Sequence, residues 1–209
     1  QRQSQVTRLP SSHVLSVVMP CPSVLSFAHT CVRGVLSSGG VAIDATAGNG
    51  HDTLALAEYA QPGGHVFAFD VQQAALDATR RRLDAAGATD VVTLLQASHD
   101  TMVDALPADC HGAVDTVMFN LGYLPGSDKT VITRPATTVP ALNQALTLLR
   151  PGGVLTVVLY RGHDGGTEEA HAVMDWATTL DPSAAQVHSY RTINRTAAPE
   201  LIALERTLA

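Results

Sequence analysis

Residues Val41 to Ala57 read VAIDATAGNGHDTLALA. A short apolar run ends on Asp44, a turn carries Gly48 and Gly50, and a helical pattern opens at Asp52. Strand, glycine turn and helix in this order build a ligand site in an open α/β sheet. The ligand lies beyond the carboxyl ends of the strands, where glycines let the backbone approach it and a helix start offers unbonded N–H groups. A dinucleotide turn would read G-x-G-x-x-G. Here Thr53 stands in place of the third glycine, and a carboxylate precedes the first. An acid there repels a pyrophosphate and suits a cationic ligand, such as a sulfonium with an α-amino group. Asp70 closes the next apolar run, 20 residues beyond Gly50, where a carboxylate can accept both ribose hydroxyls. Acid, glycine turn and acid fit S-adenosylmethionine better than NAD. Two structural alternatives stay open: Asp44 capping its turn, and Asp70 capping the helix that follows.

Outward from this stretch the chain alternates strand and helix. Helical spacing over 22–36 precedes it, and Ser37-Ser38-Gly39-Gly40 closes that helix. Strands are predicted at 41–44, 65–70, 91–96, 114–120 and 154–160, with helices at 52–59, 73–86, 102–106, 138–149 and 168–180 between and after them. Pro151-Gly152-Gly153 reads as the turn that ends one helix. Two closing strands, 186–194 and 200–207, lack a long helix between them and read as a hairpin. The expectation is an α/β fold: a seven-stranded, mostly parallel sheet with one antiparallel strand and helices on both faces. Residues 22–209 are expected to form one domain, with 1–21 as an N-terminal extension.

Composition narrows the classes. The 209 residues are 45% hydrophobic and 15% charged, which suits a core-forming domain. No apolar run reaches the roughly 18 residues of a membrane span. The patch VLSVVM at 14–19 lacks the flanks of a signal peptide and reads as a tail, an edge element or a dimer contact. The chain opens at Gln1, so an upstream piece is left open. Three cysteines without metal-like spacing fit free thiols in a reducing, cytoplasmic setting, and no metal site is expected. A net charge of −6 argues against coating nucleic acid non-specifically. Arg80-Arg81-Arg82 reads as a solvated helix face.

The fourth predicted strand runs into Phe119-Asn120-Leu121-Gly122-Tyr123-Leu124-Pro125. In position and outline this is similar to the Asn/Asp-Pro-Pro-Tyr segment of amino-group methyltransferases. With DATAGNGHDT (44–53), HVFAFDVQ (65–72), SHD (98–100), FNLGYLPGSDK (119–129) and YRGHDGG (160–166), the chain resembles a small bacterial and plastid family labelled rRNA methylases. The resemblance covers about residues 24 to 207. It departs at Ser127, where the family has glycine, and near Asn194 and Pro199, where Ala198 and Glu200 interrupt the family's pattern.

The resemblance implies a Rossmann-like class I methyltransferase that uses S-adenosylmethionine to methylate the aminomethyl group of the wobble 2-thiouridine of tRNA. The candidate cofactor residues are Asp44, Thr46, Gly48, Asn49, Gly50, His51, Asp52 and Thr53. Further along the chain they are Asp70, Val71, Gln72, Ser98, His99, Asp100 and Asn120. Asn120 and the carbonyl of Leu121 would orient the amine, Tyr123 would stack on the base, and Asp128 and His163 are candidate proton acceptors. Gly122, Lys129, Arg134 and Arg161 are candidate contacts to an anticodon stem-loop, where single-stranded bases can be splayed out. The amine must be neutral to attack, and burial beside a cationic cofactor would lower its affinity for a proton. Competing readings are methylation of ribosomal RNA or a small amine, an NAD-dependent oxidoreductase, and a non-catalytic cofactor-binding module.

Overall fold

The computed structural model describes residues 21–122, 132–195 and 198–208. The patch at 14–19 and the residues Tyr123, Asp128 and Lys129 lie outside this set. Seven strands form one sheet: β1 (Val41–Asp44), β2 (His65–Asp70), β3 (Val92–Gln96), β4 (Val114–Asn120), β5 (Leu149–Leu159), β6 (Ala185–Arg191) and β7 (Glu200–Arg206). Their order is β3-β2-β1-β4-β5-β7-β6. β7 runs antiparallel to both neighbours, β5 and β6, and the other pairings are parallel.

The sheet's two faces follow from the two-residue period of a strand. In β4, Val117 and Phe119 point into one core while Met118 enters the other. Val157 and Val158 of β5 divide in the same way. Helices α1 (Val24–Arg33), α2 (His51–Ala60) and α3 (Gln73–Ala86) contribute Val32, Leu56 and Leu83 to the Met118 side. Helices α4 (Met102–Ala105), α5 (Pro135–Leu148) and α6 (Gly166–Thr179) contribute Met102, Leu142 and Trp176 to the Phe119 side. Strands covered on both faces read as near-continuous apolar runs, and VLTVVL at 154–159 is one.

Two differences from the sequence expectation have physical causes. Pro151-Gly152-Gly153 does not separate helix from strand; it lies inside β5, which starts at Leu149 opposite Val114. The register against β4 shifts between Val114 and Thr116, and that irregularity accommodates the proline and glycines. Arg82 also leaves the solvated face expected for it. Its Nε donates to the Asn49 carbonyl (2.8 Å) and its Nη2 to His51 Nε2 (3.0 Å), so it braces the glycine turn.

Candidate active site

A cleft of about 800 Å³ opens at the carboxyl ends of β1, β2, β4 and β5. Among the described residues its lining includes Asp52 and Asp70 and no Lys or Arg. That charge balance disfavours a pyrophosphate and admits a cation.

The β1–α2 turn is held largely by its own polar groups. Asp44 is 1% exposed and does not line the cleft. Its Oδ1 accepts from the Thr46 amide (3.1 Å) and its Oδ2 from the Thr53 hydroxyl (2.6 Å). Burial, with the charge of Asp52 nearby, pushes the Asp44 carboxyl up to about 7 against the pull of those two hydrogen bonds. The expectation that Asp44 and Thr53 face the ligand is therefore corrected: the pair fastens the turn from behind. Gly50 is corrected too. It caps α2 at φ 75°, and a Cβ there would stand 2.8 Å from the Thr79 Cα, so the residue serves the packing of the turn on α3.

Gly48, Asn49, Thr46, His51 and Asp52 do line the cleft, as do Val71 and Gln72 after β2. Asp70 lines it while bonding the amides of Gly48 (2.9 Å) and Gln72 (2.9 Å). Ser98 and His99 follow β3 into the wall. His99 is buried, and desolvation lowers its pKa despite Asp100, the Ala45 backbone and Asp70, so the ring stays neutral. Its Nε2 is buried with no partner among the described residues. Asp100 does not line the cleft; its carbonyl instead accepts from the Gln144 amide.

The opposite wall is the end of β4. The Asn120 amide N–H donates to Thr46 Oγ1 (2.7 Å), and its side-chain Nδ2 donates to Asp52 Oδ2. Asn120 Oδ1 is buried and has no partner among the described residues. Asp52 Oδ1 in turn lies 2.7 Å from Nε2 of His29 on α1. His29 drew no functional reading from the sequence, because nothing in a lone histidine on a helix reveals a partner 23 residues downstream. Leu121, Gly122, Tyr160 and His163 complete this side. His163 Nδ1 donates to the Asp164 carbonyl (2.9 Å). Burial, and secondarily the Asp52 charge, raises the Tyr160 phenol above its ordinary range.

Gly122 and Thr133 are joined twice. The Gly122 N–H donates to Thr133 Oγ1 (2.8 Å), and the Thr133 N–H donates to the Gly122 carbonyl (2.9 Å). Buried Glu169 of α6 accepts from the Thr133 hydroxyl (2.7 Å) and the Thr138 hydroxyl (2.6 Å). Arg134 is exposed just before α5 and is not among the residues lining the cleft. Arg161 is not on a free rim: its Nη2 pairs with buried Glu200 (2.9 Å), which also accepts from Ser189. Burial pushes the Glu200 carboxyl up, but the Arg161 and Ser189 bonds outweigh it and hold the group below its usual value.

The strand order and the cleft at its switch point define the class I methyltransferase fold. The chain belongs to the family described as "Putative rRNA methylase", whose model matches residues 66–206. A protein of Arabidopsis thaliana named tRNA (mnm(5)s(2)U34)-methyltransferase, chloroplastic, is 38% identical over 183 residues, covering 84% of this chain. The alignment spans 66% of the plant protein's own length. A crystal structure of a "putative rRNA-methylase" from Clostridium thermocellum superposes with a TM-score of 0.86 at 36% identity, covering 90% of this chain and all of that one. A "putative methyltransferase" from Streptococcus mutans, solved in complex with SAH, gives 0.80 at 33% identity, covering 89% of this chain and 99% of that one.

Proposed function

We propose that this chain transfers a methyl group from S-adenosylmethionine to the nitrogen of the 5-aminomethyl group on the wobble 2-thiouridine of tRNA. The observation that carries the reading is Asn120: a buried amide oxygen with no partner among the described residues, in a cleft without Lys or Arg among its described lining. A buried acceptor left open costs about 1–3 kcal/mol unless a ligand satisfies it. An amine N–H is such a ligand, and accepting from it leaves the nitrogen lone pair aimed across the cleft. The names of the plant relative and of the S. mutans complex agree with this acceptor and this donor.

The residues that would hold the donor are Asp70, with Gly48 and Gln72 beside it, for the ribose side, and Ser98 and His99 for the base. Neutral His99 offers one open ring nitrogen there. Bound S-adenosylmethionine supplies a methyl carbon already activated by its sulfonium. The nitrogen forms the new C–N bond as the C–S bond breaks; S-adenosylhomocysteine leaves, and one proton passes from nitrogen to solvent. Asn120 Oδ1 orients the amine. Positioning of this kind is worth about 7–11 kcal/mol in favourable cases. Asp52 and Asp70 favour the positive charge of the sulfonium donor. Residues 22–209 act as one catalytic unit in this reading, and Arg134 contacts a phosphate of the anticodon stem-loop.

The family's description favours a second reading, with ribosomal RNA as substrate. Nucleoside mass spectrometry of tRNA from a deletion strain separates the two. Accumulation of 5-aminomethyl-2-thiouridine supports the tRNA reading; unchanged tRNA with a lost ribosomal methyl group rejects it. The purified chain should label tRNA lacking the final N-methyl group and leave ribosomal RNA unlabelled.

A further inference from the structure

A planar amide is nearly the same shape with its oxygen and nitrogen exchanged, so an orienting asparagine needs something to choose its face. Asp52 makes that choice. An ionised carboxylate only accepts hydrogen bonds, so the group facing Asp52 Oδ2 must be Asn120 Nδ2, which leaves Oδ1, without a partner among the described residues, as the acceptor of a residue that lines the cleft. The other carboxylate oxygen lies 2.7 Å from His29 Nε2, and by the same rule that nitrogen carries the hydrogen. The His29 ring is braced by the edge of Tyr59, with centroids 6.2 Å apart at 81°. The Arg33 guanidinium lies 5.2 Å from the centre of that tyrosine ring. Three elements distant in sequence thus converge on one amide: α1 through His29, the first turn of α2 through Asp52, and the end of β4 through Asn120.

We propose that His29 is a positioning residue for methyl transfer: through Asp52 it fixes the Asn120 amide with Oδ1 toward the acceptor amine. His29 does not line the cleft, so it acts without touching either substrate. The proposal rests on the methyltransferase reading for its consequence in turnover, and on the hydrogen-bond chain alone for its structural content.

The test has two arms. In the first, His29→Phe, which removes the donor, should lower kcat about thirtyfold, with KM for tRNA and the Kd of S-adenosylhomocysteine within about threefold of wild type. His29→Gln, whose Nε2 can reach the same carboxylate, should restore most of the rate. Added to Asn120→Ala, His29→Phe should cost nothing further, because the two act as one unit. In the second arm the Asn120 side-chain amide protons, assigned by their absence in Asn120→Ala, are followed by NMR. They should exchange with water at least about tenfold faster in His29→Phe than in wild type. Should the Phe variant fail to fold, His29→Asn, too short to reach Asp52, replaces it. Wild-type turnover in His29→Phe, a loss that multiplies in full on Asn120→Ala, or unchanged amide exchange overturns the proposal. A wild-type chain that methylates no RNA defeats the substrate reading instead, and the amide exchange still decides the role of His29.

Discussion

Asp44 and Asn120 end adjacent strands and stand on either side of the Thr46 turn, yet they are used in opposite ways. Asp44 has both oxygens bonded within the protein and is sealed from the cleft. Asn120 lines the cleft with its nitrogen bonded and its buried oxygen without a partner among the described residues. The acid shapes the pocket, and in the proposed function the amide is the one that meets a ligand. A carboxylate at the position of Asn120 would hold an attacking amine as its ammonium and so quench the lone pair. An amide accepts from the neutral amine without stabilising its protonated form.

The largest expected effect tests the open side. Asn120→Ala should lower kcat by about a thousandfold while S-adenosylhomocysteine binds within a few-fold of wild type, measured by methyl-transfer assay and calorimetry. A full loss of cofactor binding would place Asn120 with the donor and erase the contrast. Next comes the sealed side. Gly50→Ala meets both a left-handed backbone and the Thr79 backbone, and should cost about 2–4 kcal/mol in denaturant unfolding. Glu169→Ala strands two hydroxyls beside the open wall and should cost about 2–3 kcal/mol by the same measurement.

Asp44 sharpens the contrast through pH. Its carboxyl titrates near 7 in the folded chain and near 3.9 unfolded. The folded state therefore binds the proton more tightly. The stability this supplies is complete below about pH 4 and is lost as pH rises through about 7. Asp44→Asn should flatten the fall in Tm between pH 5 and 8; an unchanged slope would mean that Asp44 is solvated after all. The smallest effect belongs to Arg82→Ala. Loss of its brace on Asn49 and His51 should weaken S-adenosylhomocysteine by about threefold and cost about 1 kcal/mol or less.

The fold was legible wherever local chemistry and tertiary packing agree. β1, β2, β4 and α3 begin and end where their apolar runs and Gly87 say they should. β5 was not, because Pro151 and two glycines carry turn chemistry, and the strand runs through them only as an irregularity between Leu149 and Val154, the residues that pair with β4. The site divides likewise. The glycine turn, Asp70 and Asn120 announce themselves by their place at strand ends. A strand-end acid does not announce which way it points, and Asp44 turned inward once Thr53 offered a hydroxyl from the next helix. Asp52 and Asn120 are 68 residues apart, and no periodicity links them to each other or to His29.

The paired bonds between Gly122 and Thr133 bring the chain out of the sheet and back at one point, and Glu169 locks the returning end to α6. A segment that leaves and re-enters at a shared post can be lengthened, shortened or rewritten without altering strand spacing or the donor's seat. Changes of sequence between the two residues would therefore leave the sheet and the end of β4 where they are.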